Sequence, residues 1–206
     1  EPGRAYRNLR SLASADPTGA FLRLAVLATD FLKDRPDPDM ALNNWERFLS
    51  ALREAGGAEA AGEHFRGLAA QPRRLDILLA VFAGSQFLSD ALIRSPAIFD
   101  WATQPEHLHR VRPRSEMLAG VRGLEAGSRE TWLDELRRAR RREYVRLGIR
   151  DICLGAPIQE IMRELSMLAE ALLQGAWERE AAEAGLPPEG LSILAFGKLG
   201  GEELNY

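Results

Sequence analysis

Apolar residues recur at helical spacing through most of the chain, and start and stop signals bracket each run. Asp16-Pro17 reads as an N-cap with proline at the first helical position, ahead of Leu24, Leu27, Ala28 and Phe31. Asp37-Pro38 repeats the signal before Leu42, Trp45, Leu49 and Leu52, and Gly56-Gly57 closes that helix. Ala58 to Ala70 predicts a weaker, alanine-rich helix. Pro72 opens a strongly apolar stretch, Leu75 to Phe82. Gly84-Ser85 interrupts it, Phe87, Leu88, Ala91 and Leu92 continue it, and Pro96 stops it. Ile98, Phe99 and Trp101 form a short apolar cluster. Residues 105–113 predict a polar connector, Ser115 to about Val121 a further helix, and 123–127 a loop. Two long helices follow, from Ser128 to Leu154 and from Ile158 to the stop at Gly185, broken at Gly155-Ala156-Pro157. The second carries Ile158, Ile161, Met162, Leu165, Leu168, Leu172 and Ala176 on one stripe. A tight connection between two long helices predicts an antiparallel pair.

The period changes only at the end. Leu191-Ser192-Ile193-Leu194 is a short apolar run set off by Leu186-Pro187-Pro188-Glu189-Gly190. It leads into Ala195-Phe196-Gly197-Lys198-Leu199-Gly200-Gly201-Glu202-Glu203-Leu204-Asn205-Tyr206, which reads as a strand entering a glycine-rich turn. The expected fold class is mainly α, a helical array leading into the first strand of an α/β domain. Three regions are expected: helical residues 1–126, a long helix pair over 127–185, and the start of a further domain over 186–206.

Glycines let a backbone approach a ligand closely, and successive N–H groups in such a turn can face an anion. Lys198 sharpens the reading. The chain has 25 arginines but only two lysines, Lys33 and Lys198. A lysine offers phosphate a compact, mobile charge, where arginine offers a rigid fork. A phosphate-binding turn and a solvated turn residue both remain open for it.

Composition narrows the class. With 206 residues, 46% apolar and 28% charged, the chain has the makings of a soluble globular core. A net charge of −3 gives no global basic field for nucleic acid. The single cysteine, Cys153, cannot form an internal disulfide, which fits a reducing, cytoplasmic setting. No apolar run reaches transmembrane length and no signal peptide is visible. Glu1 in place of Met leads to the expectation of a trimmed chain.

Other candidates divide quickly. Arg138, Arg142, Arg146 and Arg150 are four apart and form a stripe, with Asp134, Glu135, Glu143 and Asp151 among them. Two readings stand: a salt-bridge-laced helix face, or a docking face for an acidic partner or phosphate-rich ligand. His107 and His109 are too close for a helical metal pair, and His64 stands alone, so no metal site is expected. No Ser/His/Asp or Cys/His set has local support. Trp45, Trp101, Trp132 and Trp177 sit in helical patterns and are expected in the core. A Walker A loop is excluded, because Gly190 precedes Gly197 by too many residues and Leu199 follows the lysine. A dinucleotide fingerprint needs glycine where Ala195 stands.

Phe196-Gly197-Lys198-Leu199-Gly200-Gly201, followed by Glu203-Leu204-Asn205-Tyr206, resembles the signature of the bacterial glutamine synthetase adenylyltransferase/adenylyl-removing enzymes. Three further segments are similar: Ser85-Gln86-Phe87-Leu88-Ser89-Asp90 to Arg94-Ser95-Pro96, the arginine-rich stretch from Leu136 to Asp151, and Leu165 to Leu172. The resemblance covers roughly residues 75–206. It implies a DNA polymerase β-like nucleotidyltransferase domain beginning at residue 186. It also implies regulation of glutamine synthetase by attaching AMP to a tyrosine or removing it by phosphorolysis with release of ADP. Gly197, Lys198, Gly200 and Gly201 are then the nucleotide- or phosphate-binding candidates. The carboxylates that hold Mg²⁺ belong to a Ser-Asp-x-Asp strand expected just after Tyr206, so neither catalytic nor metal-binding residues are expected within this chain. ATP or ADP and phosphate become the substrates or products. Glutamine synthetase and a PII-type nitrogen-signalling protein become the partners, with no nucleic acid and no membrane. Ala195 departs from the family's usual first glycine. The Glu203-Leu204-Asn205 wording and the long arginine helix favour the N-terminal, adenylyl-removing half. A non-catalytic helical interaction module is the alternative, and an RNA-binding arginine stripe a third reading.

Overall fold

The computed structural model describes residues 2–16, 18–124 and 127–205. The expectations that involve Pro17, the middle of the 123–127 loop and Tyr206 lie outside the described residues. The chain forms two compact units, one up to Thr103 and one from Gln104 onward.

The first unit contains α1 (Pro2–Ser14), α2 (Phe21–Leu32), α3 (Pro38–Ala70), α4 (Pro72–Gly84), α5 (Gln86–Arg94) and α6 (Ala97–Ala102). The Asp37 carboxylate caps α3 by accepting from the Met40 N–H at 2.8 Å. The span of α3 is two helices folded on each other. Gly57 sits at φ 70° and ψ −162°, a region only glycine occupies without strain. The reversal brings Trp45 from the first half to His64 from the second, with the indole N–H donating to Nε2 at 3.2 Å. Around that contact Phe21, Trp45, Phe48, Phe65, Phe82 and Phe99 pack in tilted and edge-on pairs. α4 is buried on every side over residues 77–83, which makes it the central helix of the unit. The family-like segment from Ser85 has a structural part to play. Ser85 caps α5, and Gln86 exchanges amide hydrogen bonds with the fully buried Asn44 while donating to Asp90.

The second unit contains α7 (Pro105–Leu108), α8 (Arg114–Arg122), α9 (Arg129–Leu154), α10 (Ile158–Glu183) and, near the end, α11 (Gly197–Gly200). The polar connector over 105–113 begins with a helical turn, started by Pro105. α8, grouped above with the N-terminal region, packs against α10. Met117 and Leu118 of α8 meet Leu168 and Ala171 of α10. Gly175 permits the approach: a Cβ there would stand 2.3 Å from the Val121 methyl. α9 and α10 run antiparallel, since their ion-paired partners rise in number on one as they fall on the other (Arg146 to Glu164, Arg150 to Glu160). Leu147 of α9 packs with Ile161 and Leu165 of α10.

No β-strand forms among the described residues. After a 3-10 turn at Pro188–Gly190 the chain runs extended from Leu191 (φ −131°, ψ 137°) to Phe196 (φ −124°, ψ 167°). The apolar run therefore has an extended conformation without a strand's ladder, because a ladder needs a neighbouring strand and none forms among the described residues. No helix among the described residues is long and apolar enough to cross a membrane.

Candidate functional site

The glycine turn is built by two local constraints. Gly197 has φ 60°, and a Cβ on Gly200 would stand 2.6 Å from the Ala195 carbonyl oxygen, so a side chain at either position distorts the turn. The N–H groups of Gly200 and Gly201 close the turn on the carbonyls of Phe196 and Gly197, at 3.5 and 2.9 Å. Those two glycines shape the backbone and do not present their N–H groups outward. No acceptor among the described residues takes the N–H groups of Gly197, Lys198 and Leu199. Lys198 is exposed, and its ammonium donates to Asn205 Oδ1 at 3.2 Å. Glu202 takes the left-handed conformation, φ 56°, unusual for a residue with a side chain.

Two contacts hold this turn on the helix pair. Leu204 packs against the Leu147, Ile161 and Leu165 cluster. Arg163 Nε of α10 pairs with Glu202 at 3.2 Å across an exposed surface. Upstream, the extended segment stands off α8 and α10 and encloses an open cleft of about 860 Å³. Leu191, Ile193 and Ala195 line it together with Leu173, Trp177 and Leu199. The alternate residues Leu194 and Phe196 are 78% and 83% exposed, so the segment is apolar on both faces with only one of them near protein. Beside the cleft, the guanidinium of Arg122 forks onto Glu178 and holds that carboxyl down at about 2.

The arginine stripe resolves into two parts. On the outer half of α9, Arg137 and Arg138 pair with Asp134 and Glu135 one turn back, and Arg140 lies over the Tyr144 ring. On the inner half, Arg146 and Arg150 are buried. Glu164 of α10 binds both guanidiniums and accepts the Arg112 backbone N–H at 3.1 Å. Glu143 binds Arg146 at 2.8 Å and also Arg112, while Arg150 reaches Glu160 at 2.8 Å. Arg110 and Arg112 close the outer edge on Glu116; the Arg110 fork in particular holds that carboxyl at about 2. The salt-bridge reading of this helix is thus the observed one, and its inner half is a core element of the second unit. Arg112 and Glu164 carry no periodic signal that marks them as members. The only sequence hint was a glutamate on the otherwise apolar face of α10.

Of the other candidates, Trp45 and Trp132 are buried and Trp101 and Trp177 half-buried. His64 is enclosed by Trp45, Phe48 and Phe65, and burial pushes its pKa down to about 4. Among the described residues no group of three or more His, Cys, Asp or Glu side chains is placed to hold a metal ion.

The second unit thus ends on an exposed Gly-Lys-Leu-Gly-Gly turn carried by a helical scaffold. Comparison identifies the family. Residues 75–206 match the glutamate-ammonia ligase adenylyltransferase family, and the chain belongs to it. It is 34% identical over its whole length to the bifunctional glutamine synthetase adenylyltransferase/adenylyl-removing enzyme of Streptomyces coelicolor. It is 28% identical to that of Mycobacterium marinum and 24% identical to that of Corynebacterium diphtheriae. The chain spans 19–21% of the length of these relatives. No solved structure matches it.

Proposed function

We propose that this chain supplies the helical scaffold and the phosphate-facing turn of a nucleotidyltransferase that controls glutamine synthetase through an AMP group on tyrosine. The observation that carries the reading is the family match over residues 75–206, which ends on an exposed turn bearing one of only two lysines. The geometry supports specific roles. The N–H groups of Gly197, Lys198 and Leu199 and the Lys198 ammonium are donors suited to phosphate oxygens, and Gly200 and Gly201 keep the turn tight enough to present them. Phosphoryl-type transfer needs positioning and charge neutralisation more than covalent help, and this is the part such a turn can play.

The extended segment 191–196 is apolar on both faces, as a strand covered on two sides is. It is proposed as the first strand of a polymerase β-like domain beginning near residue 186. The described residues do not fit a magnesium ion, so the metal-holding carboxylates are assigned to the Ser-Asp-x-Asp strand expected after Tyr206. The roles left to this chain are binding and orientation. The Glu203-Leu204-Asn205 wording and the arginine helix favour the adenylyl-removing half, in which inorganic phosphate attacks the adenylyl phosphorus, the bond to the tyrosine oxygen breaks, and ADP forms as the tyrosine hydroxyl is restored. A cytoplasmic setting and control by a PII-type protein complete the reading.

The test is phosphate-dependent ADP release from adenylylated glutamine synthetase by the full-length enzyme. Lys198→Ala is expected to lower turnover by about 10²-fold, the usual loss when one preorganised charge stabiliser is removed. Unchanged release, with unchanged AMP attachment, removes the turn from the chemistry. Loss of attachment alone transfers the turn to the opposite reaction.

A further inference from the structure

Each residue of Glu203-Leu204-Asn205 makes a different contact at the glycine turn. The Glu203 N–H donates to the Lys198 carbonyl at 2.7 Å and ties the two ends of the turn together. Leu204 packs on Leu147, Ile161 and Leu165, which fastens the backbone there to α9 and α10. Asn205 follows that anchor directly, and its side-chain oxygen accepts from the Lys198 ammonium at 3.2 Å. An anchored residue thus holds a long side chain by its tip. A lysine has a flexible four-carbon stem and loses rotamer freedom when it binds a ligand, so a partner that already restrains it lowers that loss.

The kind of partner separates Lys198 from the other cations. Lys33, the second lysine, pairs with the Asp30 carboxylate, and Arg110, Arg122 and Arg138 likewise meet glutamates. Lys198 is met by a neutral amide. Of the two glutamates in the turn, Glu202 is paired with Arg163 of α10 at 3.2 Å. An amide oxygen holds an ammonium without cancelling its charge, whereas a carboxylate in the same place forms an ion pair that an incoming phosphate must displace. An ammonium has three N–H donors, so Asn205 takes one and leaves the others for phosphate oxygens.

We infer that Asn205 is a positioning residue for Lys198: it holds the ammonium at the turn while leaving the positive charge available to a phosphate-bearing substrate. This rests on the phosphate-facing role proposed for the turn.

The first measurement is a double-variant cycle in the full-length enzyme, read as kcat/KM for phosphate in ADP release; where the enzyme attaches AMP, the same cycle is read with ATP. Asn205→Ala is expected to lower kcat/KM about fivefold, the usual contribution of one hydrogen bond. In a Lys198→Ala background the same change is expected to have no further effect, because Asn205 acts only through the lysine. Asn205→Asp keeps the shape and the acceptor but adds a charge, and is expected to be worse than Asn205→Ala, with a loss of at least about tenfold. The second measurement is NMR of this chain with isotope-labelled lysine, which gives signals from Lys33 and Lys198 alone. The two ε-methylene protons of Lys198 are expected to be inequivalent and to merge in Asn205→Ala, with Lys33 unchanged. Equal losses from Asn205→Ala with and without Lys198 show a loosened turn rather than a held lysine and overturn the inference. So does an Asn205→Ala enzyme as fast as the unsubstituted one, or a Lys198 signal that Asn205→Ala leaves unaltered. Asn205→Asp no worse than Asn205→Ala overturns the need for a neutral acceptor. Lys198→Ala with undiminished activity instead sinks the phosphate-facing role of the turn, and this inference with it.

Discussion

Glu164→Gln is expected to unfold much of the second unit's margin of stability. Glu164 is fully buried and binds the guanidiniums of Arg146 and Arg150 as well as the Arg112 backbone N–H. Neutralising it leaves Arg112 and Arg146 on the one remaining buried carboxylate, Glu143. Arg150 then keeps only Glu160, a partner at the solvent edge. Removing one member of a buried charge set costs about 3–5 kcal/mol, because the remaining charges stay desolvated and uncompensated. Whole domains have about 5–15 kcal/mol to lose. At roughly 4–8 °C per kcal/mol for a unit of this size, its midpoint falls by at least about 12 °C. Hydrogen exchange of peptides from α9 and α10 during a thermal series reads this directly, with peptides from α4 as the internal reference. Glu135→Gln, which breaks the exposed Arg138 pair on the same helix, serves as the control and should cost less than about 1 kcal/mol. If Glu164→Gln costs no more than that control, the buried network contributes nothing and the account of the second unit's core is wrong.

Three further outcomes follow from the geometry. Gly57→Ala forces a side chain into φ 70°, ψ −162°, and should cost about 1–3 kcal/mol in urea unfolding of the first unit; Gly67→Ala, whose Cβ would meet only the Arg74 guanidinium at 4.0 Å, should not. Gly175→Ala drives a Cβ into the Val121 methyl at 2.3 Å and should cost about 1–3 kcal/mol, with Val121→Ala restoring part of the loss in the double variant. His64 has a folded pKa of about 4 against 6.5 for the free side chain, so the unfolded chain binds the proton more readily. Stability is then complete above pH 6.5 and falls as pH drops toward 4, by at most about 3 kcal/mol from this residue. His64→Gln, which keeps an acceptor for Trp45 but cannot titrate, should flatten that part of the stability–pH curve.

Much of the helical array was legible because its signals are local. Asp37 and Ser85 cap the helices they precede, Gly155 closes α9, and the stripe from Ile161 to Leu172 marks the face that α10 buries. Gly56-Gly57 was readable as a stop for the same reason. The terminal turn was legible as a motif: the glycines, the lysine and the words around them identify the family without coordinates.

What the tertiary structure decided is what depends on residues far apart meeting. The arginine stripe alone did not reveal that Arg146 and Arg150 are interior while Arg137 and Arg138 face water, since that follows from α10 and the Arg112 connector closing over one half of α9. The sequence marked residues 191–196 as a strand, but a strand is a relation between two segments, and no partner strand forms among the described residues. Gly200 and Gly201 likewise read as ligand-facing glycines, whereas the folded turn consumes their N–H groups and leaves the preceding three without an acceptor among the described residues. Local chemistry fixes which backbone conformation a segment takes; burial, charge pairing and which donors remain unsatisfied are set only when distant segments pack.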